Sequence, residues 1–444
     1  MRTTWMAMLI GTSLVGCAKH DAVRSDEASP AKGVDRGGVA TATTTPGMPA
    51  PPPSAEAARA VGGATGGGYG AAQANVAAGE WDDNANYRDY AKWLATTTEH
   101  RLDPSNRQFI VVTDAHGKPV PDCAITVRGG QASASLETTA AGRAILFPAA
   151  YGISAGKLDA QIACGAQHVT ATIDASRADT VTIAKLPGER ALPARRAVDL
   201  AFVLDTTGSM GEEIDAVKAT VRAVAAQLQS QQLDVRIALV EYKDRSDPQV
   251  TRTFQFSSDL TAFAASVQDL SAAGGGDYPE DMQAGLQTAV DDLQWRDDAV
   301  ARLAVVIADA PPHLDYQNER GYGDTAKRAA ARGIKLFTVA ASGMDDTGQA
   351  VMRQLASFTG ATNMFVLRGG AGPQSVGGGD PKSSCGGTHQ NYASGNLDAL
   401  IVDKLRGELA AVDADPMLIA GVGQDENAKP CDQRVHAVVI ASGQ

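Results

Sequence analysis

Hydrophobic and polar positions follow two different patterns along this chain. Between about residues 107 and 186, short apolar runs alternate with polar residues and are separated by Gly and Pro turns, as in half-buried β-strands. After about residue 196, amphipathic stretches of helical period alternate with continuous apolar runs, namely VDLAFVL, VRIALVEY, RLAVVIAD and IKLFTVAA. Such runs are typical of parallel strands that are buried on both faces. The pattern predicts a small antiparallel β-sandwich at residues 105–188 and a doubly wound, mostly parallel α/β sheet at residues 196–413.

The segments outside these two domains are predicted from composition. Residues 18–79 consist mainly of Ala, Gly, Pro, Ser and Thr, and so few large apolar residues cannot offset the entropy cost of ordering. We therefore expect a disordered tether there. In residues 80–104 the aromatic residues of WDDNANYRDYAKWL are spaced for one face of a short helix that packs against a neighbouring domain. Residues 414–444 are predicted to form a C-terminal tail.

The first 17 residues have the features of an export signal. A basic Arg2 is followed by an apolar stretch that is too short to span a bilayer, and then by small residues. The sequence Leu-Val-Gly-Cys that ends at Cys17 resembles the bacterial lipobox, which implies lipidation of this cysteine and anchoring to a membrane surface. The residue after this cysteine is Ala18, and in this respect the sequence resembles lipoproteins that are sent to the outer membrane. We expect a lipid-anchored protein of the bacterial cell envelope, at the outer membrane.

Export places the other four cysteines in an oxidising compartment, where disulfides persist. None of them is in a C-x-x-C motif. Four cysteines allow three pairings, and we expect the two local ones, Cys123–Cys164 and Cys385–Cys431.

Net charge and motif content exclude several classes of function. The chain of 444 residues has a net charge of −12 and lacks clustered Lys and Arg, so a nucleic-acid partner is not expected. It contains no H-E-x-x-H and no P-loop motif. The sequence therefore predicts a protein that is not an enzyme.

One short motif points to a metal ion. The sequence DTTGSM, directly after the run VDLAFVL, places Asp205, Thr207 and Ser209 two residues apart, with Gly208 between the hydroxyl residues. Small oxygen ligands at this spacing on a turn suit a hard divalent cation, and glycine allows a close backbone approach. Thr207 and Ser209 could alternatively cap the helix that follows.

Three sequence blocks in order resemble a known family. DTTGSM resembles the metal-ion-dependent adhesion site of von Willebrand factor type A domains, whose usual form is D-x-S/T-x-S. AAGGGDYPEDMQAGL (Ala272 to Leu286) and VVIADAPPH (Val305 to His313) are similar to blocks in bacterial and hemicentin-like members. The segments VTDAHGKPVPDCAITV and TTAAGRAILFP resemble carboxypeptidase-regulatory-like sandwich modules, which are usually spacers or adhesive units.

The resemblance implies a ligand set for a divalent cation. Asp205, Thr207 and Ser209 match its first block, and Asp309 matches its last block. The family usually has a threonine in the middle loop, where this chain offers Asp277 or Glu280. The choice between these two carboxylates stays open at the level of sequence. Mg²⁺ is the expected ion, with Ca²⁺ and Mn²⁺ as alternatives.

The implied function is metal-dependent binding of another protein through an acidic residue of that partner, as in adhesion. A competing hypothesis is a structural or assembly role in which the metal only stabilises the domain. A hydrolase with an unrecognised site is a third, weaker hypothesis. His313, four residues beyond Asp309, is more typical of a packing or surface residue than of a ligand.

Overall fold

An eight-stranded mixed sheet organises most of the chain. The computed structural model describes residues 76–193, 195–231, 233–317, 319–341, 343–366, 393–419 and 438–439. The predicted signal segment with Cys17, the predicted tether up to residue 75 and the predicted Cys385–Cys431 disulfide lie outside these residues.

The strand order of this sheet is that of a doubly wound fold. In spatial order the strands are β11 (Thr251–Ser257), β10 (Val235–Tyr242), β9 (Val198–Asp205), β12 (Ala301–Ala308), β13 (Ile334–Ala340), β14 (Asn363–Val366), β1 (Ala77–Trp81) and β15 (Ala393–Asn396). The five strands from β10 to β14 in this order run parallel, and β11 at one side and β1 at the other are antiparallel to them. The edge strand β15 pairs antiparallel with β1. All eight residues of β9 and of β12 are buried, as their continuous apolar runs predict.

Helices cover both faces of the sheet. Alternate residues of β9 point to opposite faces, so that Leu200 and Phe202 join one core and Ala201 and Val203 join the other. The first core also contains residues of α2 (Ile214–Ser230), α3 (Leu260–Ser266) and α7 (Leu397–Ala411). The second core contains residues of α1 (Tyr87–Leu94), α4 (Met282–Gln287), α5 (Tyr322–Ala330) and α6 (Asp346–Phe358).

Strand β1 begins earlier in the chain than the composition suggests. Residues 77–79 fall within the range predicted as tether, yet they pair with β14 and β15 in the central sheet. Trp81 fixes the end of this strand, because its side chain is buried and its ring lies 4.4 Å from that of Phe365. The α/β domain therefore includes a strand from before the sandwich in sequence, in addition to residues 196–413.

The segment after β1 is attached to the α/β domain by a buried ion pair. Arg353 of α6 donates to both carboxylate oxygens of Asp83, and both side chains are almost fully buried. The guanidinium of Arg353 lies 3.8 Å from the ring centroid of Trp93 and 4.8 Å from that of Trp81. The predicted aromatic face therefore packs on the neighbouring domain.

Residues 108–185 form a sandwich of two sheets around one core. One sheet contains β5 (Arg143–Leu146), β2 (Gln108–Thr113) and β8 (Thr180–Lys185); the other contains β4 (Ala132–Glu137), β3 (Ala124–Gly129), β6 (Lys157–Cys164) and β7 (Gln167–Asp174). The expectation of a wholly antiparallel sandwich is wrong at one pair, because β2 and β8 run parallel. The four strands of the other sheet lie between β2 and β8 in the chain. The hydrophobic pattern of single strands does not reveal such a long-range pairing.

The structure joins Cys123 and Cys164 by a disulfide, with their Cα atoms 4.4 Å apart. The bond links neighbouring antiparallel strands, since Ala124 of β3 is paired with Ala163 of β6. In the predicted tail, Ile419 packs against Phe109 and Val111 of the sandwich. Among the helices that the structure describes, none is both long and apolar enough to cross a membrane.

Candidate metal centre

The carboxyl ends of β9 and β12 place two aspartates in one crevice. Asp205 is the last residue of β9, and Asp309 directly follows β12. The two strands are parallel neighbours, with Leu204 paired with Ile307. In open α/β sheets, ligands collect at this edge, where the strand order reverses.

A chain of close oxygen–oxygen contacts connects the two aspartates. The backbone N–H and the hydroxyl of Thr207 donate to Asp205 Oδ1 at 2.9 and 2.7 Å. The Thr207 and Ser209 hydroxyls lie 3.0 Å apart, and Ser209 donates to Asp309 Oδ1 at 2.9 Å. Thr207 does not cap the 3₁₀ turn at Gly208–Glu212 with its side chain. The structure therefore brings these four predicted residues together, with their oxygen atoms directed at one another.

Glu280, one of the two carboxylates that the sequence offers for the middle position, lies beside this chain of oxygens. Its side chain is buried, and a Cβ atom built on Gly275 would be 2.6 Å from Glu280 Oε1 and 3.3 Å from Thr207 Cβ. The Glu280 backbone is held by a hydrogen bond from its N–H to Pro311 O and by one from His313 N–H to its carbonyl oxygen. Glu280 Oε2 has no hydrogen-bond partner among the described residues.

Asp277, the other candidate for the middle position, is placed differently. Its side chain is 63% exposed, and its Oδ1 lies 3.5 Å from Nε2 of His313. Of the two carboxylates that the sequence left open, the structure places Glu280 next to Thr207 and Asp277 next to His313.

Burial and like charge raise the pKa values of all three buried carboxylates. Burial, and then the charge of Asp309, raise the pKa of Asp205 to about 7. Burial, and then the charge of Asp205, raise the pKa of Glu280 to about 8. For Asp309, burial is again the largest cause, and the pKa is raised to about 6. Within the described residues no salt bridge reaches these three groups, so a bound cation would supply the missing positive charge.

This donor set fits a hard divalent cation. It consists of three carboxylates and two hydroxyls with no nitrogen or sulfur atom, and Mg²⁺ and Ca²⁺ take such oxygen ligands. The unpartnered Glu280 Oε2 supports the fit, because a buried polar atom without a partner is costly. The residues that would hold the ion are Asp205, Thr207, Ser209, Glu280 and Asp309, which we call the oxygen cluster.

Sequence reasoning missed a second group of side chains at this edge of the sheet. Asp244, Asp277 and His313 each offer one ligand atom, and these atoms lie within 4.8 Å of one another. His313 is buried, and its Nδ1 lies 2.8 Å from Asp315 Oδ1. One sequence signal could have identified Asp244 as part of this group. Asp244 follows β10, a parallel neighbour of β9, so its carboxylate lies at the same edge of the sheet as Asp205.

Comparisons with known proteins agree with the fold. Residues 199–370 match the model of the von Willebrand factor type A domain. Over 152 residues the chain is 35% identical to alpha-protein kinase vwkA of Dictyostelium discoideum. This alignment covers 33% of this chain and 23% of that protein. Over 102 residues it is 39% identical to human von Willebrand factor A domain-containing protein 7. This alignment covers 23% of this chain and 11% of that protein. The chain thus spans less than a quarter of the length of these relatives.

The comparison with solved structures gives a match at low similarity. The pilus adhesin SpaC from Lactobacillus rhamnosus GG, in its open conformation, has 10% sequence identity and a TM-score of 0.36. The likeness covers 60% of this chain and 33% of that one. The oxygen cluster lies wholly within the range matched by the family model. Residues 199–370 of this chain form a von Willebrand factor type A domain, a mostly parallel sheet flanked by helices.

Proposed function

We propose that this protein binds another protein through a divalent cation held by the oxygen cluster. Von Willebrand factor type A domains generally mediate protein–protein interactions. The observation that carries the metal dependence is the cluster itself, in which three buried carboxylates and two hydroxyls converge without a positively charged partner among the described residues. We propose binding as the role of this site, and no catalytic step.

The residues of the cluster divide into a buried base and an open rim. Asp205 is fully buried, and the Tyr242 hydroxyl donates to its Oδ2 at 3.3 Å, which holds this carboxylate from behind. Gly208 and Ser209 are exposed, so the site opens to solvent on that side. When bound, Mg²⁺ would offer a coordination position to an oxygen ligand such as a carboxylate of the partner.

Tyr278 provides an apolar contact surface near this rim. Its side chain is 45% exposed, although its hydroxyl is fixed by donating to Gly343 O at 2.6 Å and by accepting from Asp345 N–H at 3.0 Å. A rigid, exposed aromatic ring is typical of residues that contribute strongly to protein interfaces.

We further propose that the protein is held at the bacterial cell envelope by lipid on Cys17. The support comes from the sequence of residues 1–17, which resembles a lipoprotein signal. A tether at residues 18–75 would then let the folded part reach a partner some distance from the lipid surface.

The test compares capture of a partner with and without metal. The full chain is immobilised and incubated with envelope extract of its host in Mg²⁺, in EDTA, and in EDTA followed by excess Mg²⁺. The variant Asp205→Ala removes the cluster, and Asp403→Asn on the exposed side of α7 is the matched control. We expect capture in Mg²⁺ by the wild type and by Asp403→Asn, and its loss in EDTA and in Asp205→Ala. Equal capture under all conditions would instead favour a structural role for the metal.

A further inference from the structure

We propose that Asp244, Asp277 and His313 form a second metal site, which takes a transition-metal cation such as Zn²⁺. The three residues come from separate loops at the sheet edge that carries the oxygen cluster: after β10, before α4 and after β12. The proposal does not depend on the function of the oxygen cluster, because it rests on different side chains.

The distances between the donor atoms suit a small ion. His313 Nε2 lies 3.5 Å from Asp277 Oδ1 and 3.7 Å from Asp244 Oδ1. Zn²⁺ binds nitrogen and carboxylate oxygen at roughly 2.0–2.2 Å, and in a tetrahedral site this places neighbouring donor atoms about 3.4 Å apart. The observed separations are too long for hydrogen bonds but close to this coordination distance.

His313 presents an unpartnered nitrogen to the two carboxylates. The side chain of His313 is only 8% exposed, and Nε2 has no hydrogen-bond partner among the described residues. A buried polar atom without a partner is costly, and a metal ion would satisfy it. The Asp244 side chain is buried as well, so two of the three donors are shielded from water.

The surroundings of His313 orient it as a metal ligand. Its other ring nitrogen, Nδ1, lies 2.8 Å from Asp315 Oδ1. Donation of Nδ1–H to this carboxylate leaves the Nε2 lone pair facing Asp244 and Asp277. Metal-ligating histidines almost always have such a carboxylate, carbonyl or water partner on the other nitrogen.

Tyr316 supports both buried donors of the site. Its ring stacks on His313 with centroids 3.9 Å apart and an interplanar angle of 12°. Its hydroxyl donates to Asp244 Oδ1 at 2.6 Å. The guanidinium of Arg245 lies 3.8 Å from the Tyr316 ring centroid. The imidazole and the carboxylate are therefore held in place before any ion binds.

The donor types separate this site from the oxygen cluster. Imidazole together with carboxylate suits Zn²⁺ and similar transition-metal ions, whereas oxygen donors alone suit Mg²⁺ and Ca²⁺. An ion bound here would tie together three loops that surround the oxygen cluster. Asp277 and Glu280 share one of these loops, so the second ion would also fix the segment that carries Glu280.

The test measures Zn²⁺ affinity of the full chain by competition with a chromogenic chelator. All proteins carry Asp205→Ala, so that the oxygen cluster does not contribute. The variants are His313→Gln and Asp277→Asn, and the matched control is His168→Gln on the exposed side of β7 in the sandwich. We expect one Zn²⁺ per chain, a dissociation constant raised at least tenfold by either variant, and no change in the control.

Two results would overturn the proposal. One is the absence of stoichiometric Zn²⁺ binding, which would mean that His313 only packs beside the two aspartates and is not a ligand. The other is an unchanged Zn²⁺ affinity in Asp277→Asn. That variant remains decisive even if His313→Gln fails to fold, because the Asp277 side chain is 63% exposed and its change to Asn should leave the fold intact.

Discussion

Substituting Glu280 with threonine should weaken Mg²⁺ binding by roughly 10- to 100-fold. The change restores the residue type that the family usually has in the middle loop, and it removes one of the three buried carboxylates of the oxygen cluster. Because the affinity of oxygen-ligand sites rises with the number of charged ligands, this chain should hold its ion more tightly than a threonine-bearing relative.

The magnitude follows from the charge that is lost. A carboxylate and a divalent cation about 4 Å apart attract by about 8 kcal/mol at an effective dielectric constant of about 20. Only part of this attraction is lost, since water replaces the carboxylate next to the ion. In addition Glu280, with a pKa raised to about 8, is mostly protonated near neutral pH before the ion binds. Between a sixth and a third of that attraction, about 1.4–2.7 kcal/mol, corresponds to the stated loss of affinity.

Isothermal titration calorimetry of the full chain with Mg²⁺ measures the effect, and Asp277→Thr is the matched control. Asp277 lies in the same loop but points to His313, so its removal should change Mg²⁺ affinity at the oxygen cluster less than threefold, about 0.65 kcal/mol. The same reasoning predicts that Glu280→Thr binds an acidic ligand better once metal is bound, because less negative charge surrounds the ion.

Two outcomes would refute this reasoning. An unchanged Mg²⁺ affinity in Glu280→Thr would mean that this carboxylate is not a ligand, despite its position beside Thr207. A large loss in Asp277→Thr with none in Glu280→Thr would exchange the roles of the two residues.

Three further predictions concern stability and anchoring. Asp83→Ala should lower the free energy of unfolding by about 3–5 kcal/mol, because it leaves Arg353 buried without its partner, and urea denaturation that shows less than about 1 kcal/mol would contradict this. In EDTA the melting temperature should rise as the pH falls from about 8 to about 5. The folded chain, with the pKa values of Asp205 and Glu280 raised, then binds protons that the unfolded chain does not. Saturating Mg²⁺ should reduce this pH dependence of the melting temperature. The prediction would be contradicted if, in EDTA, the melting temperature of the wild type fell on acidification by more than that of the Glu280→Gln variant. Cys17→Ser should leave the precursor unprocessed and without fatty acid in metabolic labelling, and a labelled, membrane-bound mutant would remove the anchor from the account.

The parts of the site that depend on parallel strands could be predicted from the sequence. Continuous apolar runs identify β9 and β12, and the carboxyl ends of parallel strands meet at one edge of the sheet. The position of Asp205 and Asp309 in one crevice follows from these two facts. Thr207 and Ser209 are brought in by the short turn that follows β9.

The parts of the site that depend on the paths of the loops could not be predicted from the sequence. Glu280 is brought to the cluster by a parallel bridge to Pro312 and by Gly274 and Gly275, which have φ values of +83° and +76°. These contacts place Glu280, and not Asp277, beside Thr207, and no periodicity in the sequence encodes them. The group of Asp244, Asp277 and His313 was missed for the same reason, since it joins three loops that are distant in sequence.

Strand β1 shows a different limit of sequence reasoning. Its residues AAGEW lack the β-branched and aromatic content that marks strands, apart from the final Trp81. Its position in the sheet is set by pairing with β14 and β15, which are distant in the chain, since Ala78 pairs with Val366 and Ala77 pairs with Asn396. The parallel pairing of β2 and β8 is also set by long-range contacts.

Calorimetric titration of Mg²⁺ into the wild-type chain and into Asp205→Ala tests the central claim most directly. Asp205 is fully buried at the base of the oxygen cluster and is hydrogen-bonded to Thr207 and Tyr242. The account predicts saturable binding of one Mg²⁺ at the cluster in the wild type and no measurable binding there in a folded Asp205→Ala variant. Equal Mg²⁺ binding by the two proteins, or none by the wild type, would contradict it.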